Sequence, residues 1–271
     1  MIRRLALIGM FLASVAQAQD FAQIQAQGGC PDCNLRLAEL RGLTLDGANF
    51  EDADLIEADL KAVTLPDANF SGADMRRSEM ERAVLVRANF KDTKLREVDL
   101  EKAVLANAVF HDADLRDGDL ANAEIKGTDF READMRGAYL RRVTGEGATF
   151  AEALLERADF ERATLTGADF RNARMKGVDM DRANLVGARL DGADLSNARL
   201  SSTNLSGAKF GDANLEGALM RRTNLSGADL SEAEGLEEDQ LALACGDDLT
   251  ALPRGMKIRP CGEEEAEEAR Q

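Results

Sequence analysis

From Leu35 to Leu230 every fifth residue is Leu, Ile, Met or Phe, and among those 40 positions only Gly145 departs. No residue is inserted or lost along the run. Two residues before the centres sit small residues, Ala in 28 of the 40 units, and the residue just before the centre is Asp or Asn in 21. A period of five fits neither a helix at about 3.6 nor a strand at about 2. A fixed short repeat over most of a chain points instead to stacked units that bury their apolar residues only against their neighbours.

Phrases such as Ala48-Asn49-Phe50, Ala53-Asp54-Leu55 and Ala193-Asp194-Leu195 resemble the pentapeptide-repeat family, and the resemblance covers about 200 of the 271 residues. It implies an all-β fold, a right-handed quadrilateral β-helix with four pentapeptides per coil. The Phe residues support that count independently. Eight of the nine in the run share a 20-residue register (Phe50, Phe70, Phe90, Phe110, Phe130, Phe150, Phe170 and Phe210), and only Phe160 lies outside it. Forty units then make about ten coils and, at a rise of about 4.8 Å, a rod of roughly 45–50 Å. The centre fills the core, and the Ala two residues earlier lets the corner close.

Composition agrees with a core of small and aliphatic side chains: 44% of residues are hydrophobic, yet only 4% are aromatic and Trp is absent. The net charge of -16 is uneven, with -8 from Ser231 onward and -9 spread over residues 30–230. A mildly acidic rod favours solubility and disfavours non-specific nucleic-acid binding. At the N-terminus, Arg3 and Arg4, the apolar run Leu5–Val15 and Ala16-Gln17-Ala18 read as a secretory signal cleaved after Ala18. The expected divisions are a signal peptide at 1–18, an N-terminal cap at 19–33, the solenoid at 34–231, a C-terminal cap at 232–262 with a helix and a disulfide, and an acidic disordered tail at 263–271. The signal places the mature protein in the periplasm or outside the cell, and no membrane span is expected in it.

The caps carry all four cysteines. Residues Gly235 to Cys245 read as a short amphipathic helix ended by Gly246. Leu252-Pro253-Arg254-Gly255-Met256 and Pro260-Cys261 resemble the C-terminal segment of exported bacterial members of the family. In a rod of the implied length, bridged Cα atoms within about 7 Å leave Cys30–Cys33 and Cys245–Cys261. An oxidising compartment favours both bonds.

Residues able to do chemistry are few. Cys30-x-x-Cys33 has the spacing of a redox motif without its βαβ setting, and Asn34 stands where a c-type haem site needs His. His111 is the only His and follows Phe110 directly, an outward and solvated position. Without a second His no nucleophile–base triad can form. Neither metal nor cofactor is expected.

Folded at 20 residues per coil, charged residues align. Arg82, Lys102, Arg142, Arg162, Arg182 and Arg222 share one outward register, beside Glu81, Glu101, Glu161 and Asp181. A second row runs Arg76, Arg96, Arg116, Arg136, with Lys176 further along. These rows read either as self-compensating ion ladders or as a basic seam for an anionic partner such as a polysaccharide or lipid head group.

The most irregular stretch is Tyr139 to Leu154: Gly145 vacates a core centre, and Tyr139 and Leu154 point outward. It reads as a kink, an under-filled coil or a partner-binding spot. A lesser apolar patch groups Val84, Val86 and Val104. Three functions follow. The first is a non-catalytic exported binding or scaffold protein whose rod meets a protein or anionic polymer. The second is DNA mimicry of the kind the resemblance brings from the quinolone-resistance proteins, which occupy the DNA site of gyrase. The third is redox chemistry at Cys30 and Cys33.

Overall fold

The computed structural model describes residues 22–262, so the expected signal peptide at 1–18 and acidic tail at 263–271 lie outside the described residues. Each unit supplies one short rung. The residue before each centre pairs in parallel with the residue 20 positions later, from Gly29 with Asn49 to Asn214 with Glu234, without a slip. Four rungs per coil give four faces. Face 1 carries Asn49, Asn69 and Asn89 onward, face 2 Asp54 and Asp74, face 3 Asp59 and Glu79, and face 4 Thr64 and Val84.

Local hydrogen bonding explains the Asp and Asn preference. At the corner after Phe50, its carbonyl accepts the Ala53 N–H at 3.2 Å while Asp52 takes the left-handed φ of 53°. The Glu51 N–H, outside the ladder, donates to Asn49 Oδ1 at 3.1 Å. The same bond runs from Lys61 to Asp59 at 3.0 Å and from Glu101 to Asp99 at 2.9 Å. An Asp or Asn before the centre thus satisfies the next corner's donor, as in Asx turns.

Centres and Ala positions together form one buried core. The Phe column stands on the inner side of face 1, with neighbouring centroids from Phe50 to Phe130 4.6–5.2 Å apart and rings within 17° of parallel. Phe160 enters from face 3 and meets Phe150 and Phe170 edge-on at 5.5 and 6.0 Å. Hydroxyl residues in the Ala position differ sharply. Thr93, Thr128, Thr203 and Thr223 donate from Oγ1 to the carbonyls of Phe70, Leu105, Met180 and Leu200 at 2.7–2.9 Å. Ser78 is equally buried, but its Oγ has no partner. A buried unpaired hydroxyl costs about 1–3 kcal/mol, so Ser78→Ala is expected to stabilise the rod by about 1 kcal/mol. An unchanged or lower denaturation midpoint would count against this reading.

Both ends of the core are covered. Residues 22–27 are helical, and Ile24 plugs the first coil. Cys30 is bonded to Cys33 across the adjoining corner, with Cα atoms 5.5 Å apart. At the other end the helix Glu238–Leu243 replaces the next face 3 rung. Its Gln240 accepts the Glu237 N–H through Oε1 at 2.6 Å and donates through Nε2 to the Leu215 and Ala218 carbonyls at 2.9 Å. Open carbonyls of the last coil are thereby satisfied, while Leu236 and Leu241 cover its apolar top.

The helix ends at Leu243 with Ala244 as its cap, earlier than the stop expected at Gly246. Gly246 instead forms a rung with Pro260, and a Cβ there would lie 2.6 Å from Thr250 Oγ1. Close approach, not helix termination, requires this glycine. Cys245 and Cys261 are bonded, with Cα atoms 4.8 Å apart, and close the cap. In the loop-entropy treatment a bridge enclosing 15 residues contributes about 3 kcal/mol. Among the described residues no helix is long and apolar enough to cross a membrane.

Candidate functional site

The outward positions fall on flat faces and on the corners between them, so any site is made from residues 20 apart. Tyr139 stands on face 3 between Asp119 and Asp159, half exposed. Leu154 stands on face 2 between Asp134 and Arg174, half-buried. The corner carrying Arg136 and Gly137 separates them, so they flank one edge without sharing a face.

Gly145 is not a vacancy. A Cβ placed on it would sit 2.6 Å from Ile125 Cγ1 and 2.9 Å from Leu165 Cδ2, so the coils on either side have closed over the position. The ladder through Glu124, Thr144 and Thr164 is continuous there. The kink and the under-filled coil are both corrected: side chains one coil away supply the missing volume, and Gly145 offers no surface. Val84 and Val104 are paired neighbours on face 4, with Val86 at the corner towards face 1, all half-buried. Pro66 and Ala106 share the column of Val86, which widens the uncharged patch. That column was visible in the sequence once it is folded at 20 residues.

His111 is more engaged than a solvated surface residue. Its Nδ1 lies 3.0 Å from the Arg131 carbonyl oxygen, which can only accept, so Nδ1 carries the proton. Nε2 is 3.3 Å from Asp112. Stacking at 20 residues brings Arg131 beside it. All four cysteines are in disulfides, and no metal-ligating cluster occurs among the described residues.

Grooves follow both corners that bound face 3. The larger, about 830 Å³, lies between faces 2 and 3 and is lined by Arg116, Arg136, Glu156, Arg157, Lys176 and Asn197. Most of its arginines already hold a carboxylate. Arg116 and Arg136, like Arg76 further along the same corner, each grip the Asp two residues earlier through Nε and Nη2 at 2.6–2.8 Å. Bidentate forks of this kind are strong and geometrically specific. They make this row a compensated ladder rather than an open basic seam. The spacing Asp-x-Arg, present at Asp74, Asp114 and Asp134, was the signal available in the sequence.

Charge states follow from these contacts. The Arg116 hydrogen bond outweighs burial and holds the Asp114 carboxyl below the usual range. On face 3, burial and then Glu81 and Asp119 push Asp99 up. Burial, then Asp181 and Asp159, does the same to Asp179. Face 3 is therefore a column of carboxylates that repel one another along the rod, bordered by arginine-rich edges.

The smaller groove, about 420 Å³, lies between faces 3 and 4 and includes Arg141, Arg182, Arg199, Ser201, Ser202 and Arg221. The row that begins at Arg82 runs along this corner, and its compensation is partial. Lys102 meets Glu101 at 2.6 Å, whereas Arg162 and Arg182 reach Glu161 only at 3.5 and 3.6 Å.

Short parallel rungs, four faces and an aligned aromatic column define a right-handed quadrilateral β-helix. The Pentapeptide repeats family matches the sequence in eight copies, at 33–72, 53–92, 65–101, 83–120, 103–142, 146–182, 179–217 and 208–234. The chain belongs to the pentapeptide repeat family. Among solved structures it is similar to HetL, a pentapeptide repeat protein involved in heterocyst differentiation regulation from the cyanobacterium Nostoc sp. strain PCC 7120. That similarity is 28% identity over 80% of this chain and 91% of HetL, with a TM-score of 0.29. A pentapeptide repeat protein from the Arabidopsis thaliana thylakoid lumen is 30% identical over 46% of this chain and 82% of its own, with a TM-score of 0.29. QnrB1, a plasmid-mediated fluoroquinolone resistance protein, is 16% identical over 89% of this chain and 98% of its own, with a TM-score of 0.33. A search of curated proteins found no match.

Proposed function

We propose that this protein is a non-catalytic, exported binding or scaffold module whose rod surface meets a protein or polymer partner in the periplasm or outside the cell. The observation that carries the reading is the pair of grooves along the edges of face 3, both lined by outward side chains of adjacent coils. The N-terminal pattern of Arg3, Arg4 and Leu5–Val15 supports export. Tyr139 and Leu154, on either bank of the larger groove, are suited to an apolar contribution. Capture experiments with periplasmic extract are expected to recover a partner with the native chain and to lose it with Tyr139→Asp/Leu154→Asp, while the circular dichroism spectrum is retained. A folded native chain that captures nothing would count against the reading.

One observation favours DNA mimicry: the face 3 column of Asp59, Glu79, Asp99 and Asp119 places one carboxylate on each coil. Against it, arginines border that column on both edges, and export would separate the protein from gyrase. Gyrase supercoiling is accordingly expected to be unchanged at roughly micromolar protein, where electrostatic binding would already be evident. Inhibition in that assay, together with a cytoplasmic pool on fractionation, would make mimicry the better account.

A further inference from the structure

The edge between faces 3 and 4 changes character over its last two coils. From Asp59 to Asp179 the rungs of face 3 are acidic except at Tyr139, but the final two are Arg199 and Leu219. At the corner beside them Glu161 and Asp181 give way to Ser201 and then Arg221. The smaller groove thus keeps Glu161, Asp179 and Asp181 at one end, and beyond Asp181 this edge carries no acid, in a chain whose net charge is -16. Arg199 closes the last acids off, donating to Asp181 and lying 3.1 Å from Asp179.

Exposed apolar side chains gather at the same place. Leu219 is 58% exposed and Leu243 is 52% exposed. They bracket the arginine pair directly: Leu219 is two residues before Arg221, and the Arg222 N–H donates to the Leu243 carbonyl at 2.7 Å. The helix that ends at Leu243 keeps its acids, Glu238 and Asp239, in its first turn at the opposite end.

We propose that this end of the edge docks on an anionic lipid surface, with Arg221, Arg222 and the Ser201 and Ser202 hydroxyls at head-group phosphates and Leu219 and Leu243 at the acyl boundary. The contact deepens the binding-module reading and rests on it. Arginines attract anionic head groups within about a Debye length, and leucines beside them gain only where an apolar phase lies behind the charge. A soluble polyanion would satisfy the arginines and leave both leucines in water, which favours the bilayer.

The test is flotation of the full chain with phosphatidylcholine vesicles, with and without about one-third phosphatidylglycerol, near physiological salt. The expected result is preferential binding to the anionic vesicles. Arg221→Gln and Arg222→Gln should each reduce that preference about fivefold, and Leu219→Ser/Leu243→Ser should also reduce it. Arg82→Gln, on the same corner at the far end, should not. Equal binding to both vesicle types, or a preference that none of the variants weakens, would overturn the proposal. So would binding that polyphosphate abolishes and the leucine variant leaves intact, since the site would then serve a soluble polyanion. Failure here with a protein partner still captured through Tyr139 and Leu154 would remove the lipid contact and leave the binding-module reading in place.

Discussion

Phe110→Ala is expected to cost about 3–5 kcal/mol of stability, the range for removing a buried aromatic side chain. Phe110 is fully buried and lies between Phe90 at 4.6 Å and Phe130 at 5.0 Å, each nearly parallel to it. Truncation removes two ring contacts and leaves a hole in the middle of the column. The rungs on either side are tied to the neighbouring coils by the Phe110 N–H to the Asp129 carbonyl and the Phe90 N–H to the Val109 carbonyl. Backbone collapse into the hole is therefore restricted. In a solenoid each coil is held only by its neighbours, so a weakened central coil also lowers cooperativity between the two halves. His111→Ala, one residue away, should cost only about 1 kcal/mol, the usual worth of one hydrogen bond. Comparable losses for the two variants in denaturant titrations would contradict the assignment of inward and outward positions.

Restoring the repeat at its one defective centre should harm the protein. Gly145→Leu matches the pattern of the other centres, yet even its Cβ would enter the space held by Ile125 and Leu165. Overpacking of this kind costs about 1–3 kcal/mol. The informative comparison adds Ile125→Ala, which removes the nearer obstacle. Ile125→Ala alone should be destabilising because that side chain is fully buried. Combined with Gly145→Leu, the two losses should partly cancel instead of adding. Stabilisation by Gly145→Leu alone would show that the coil is under-filled after all.

These two positions mark how far the sequence is informative. A period of five with a Phe register of 20 specifies four faces, the inward column and the pairing of the cysteines, because each follows from chain connectivity alone. Gly145 looked like a gap because a side-chain volume supplied by the coils above and below is invisible along one coil. The basic row through Arg116 read either as a compensated ladder or as an open seam for a related reason: whether a guanidinium faces solvent or the carboxylate two residues back depends on its rotamer. At the C-terminal cap, Gly246 resembled a helix stop because positive φ and close approach both call for glycine. Arg221, Leu219 and Leu243 come together only because the cap helix replaces a rung, an event outside the repeat.

Every surface assignment rests on residues 20 apart being neighbours, and cysteine cross-linking tests this directly. Adjacent rungs lie about 4.8 Å apart, within the Cα separation of about 4.4–6.8 Å that a disulfide requires. The native cysteines are all bonded, so they do not compete for an engineered bridge. Val84→Cys/Val104→Cys, which places the pair on neighbouring rungs of face 4, should oxidise rapidly in the folded protein. Val84→Cys/Val109→Cys, which places the second cysteine on the next face, should remain reduced. The reverse pattern, or equal oxidation of both pairs under native conditions, would contradict the 20-residue coil and with it each edge, groove and column described above.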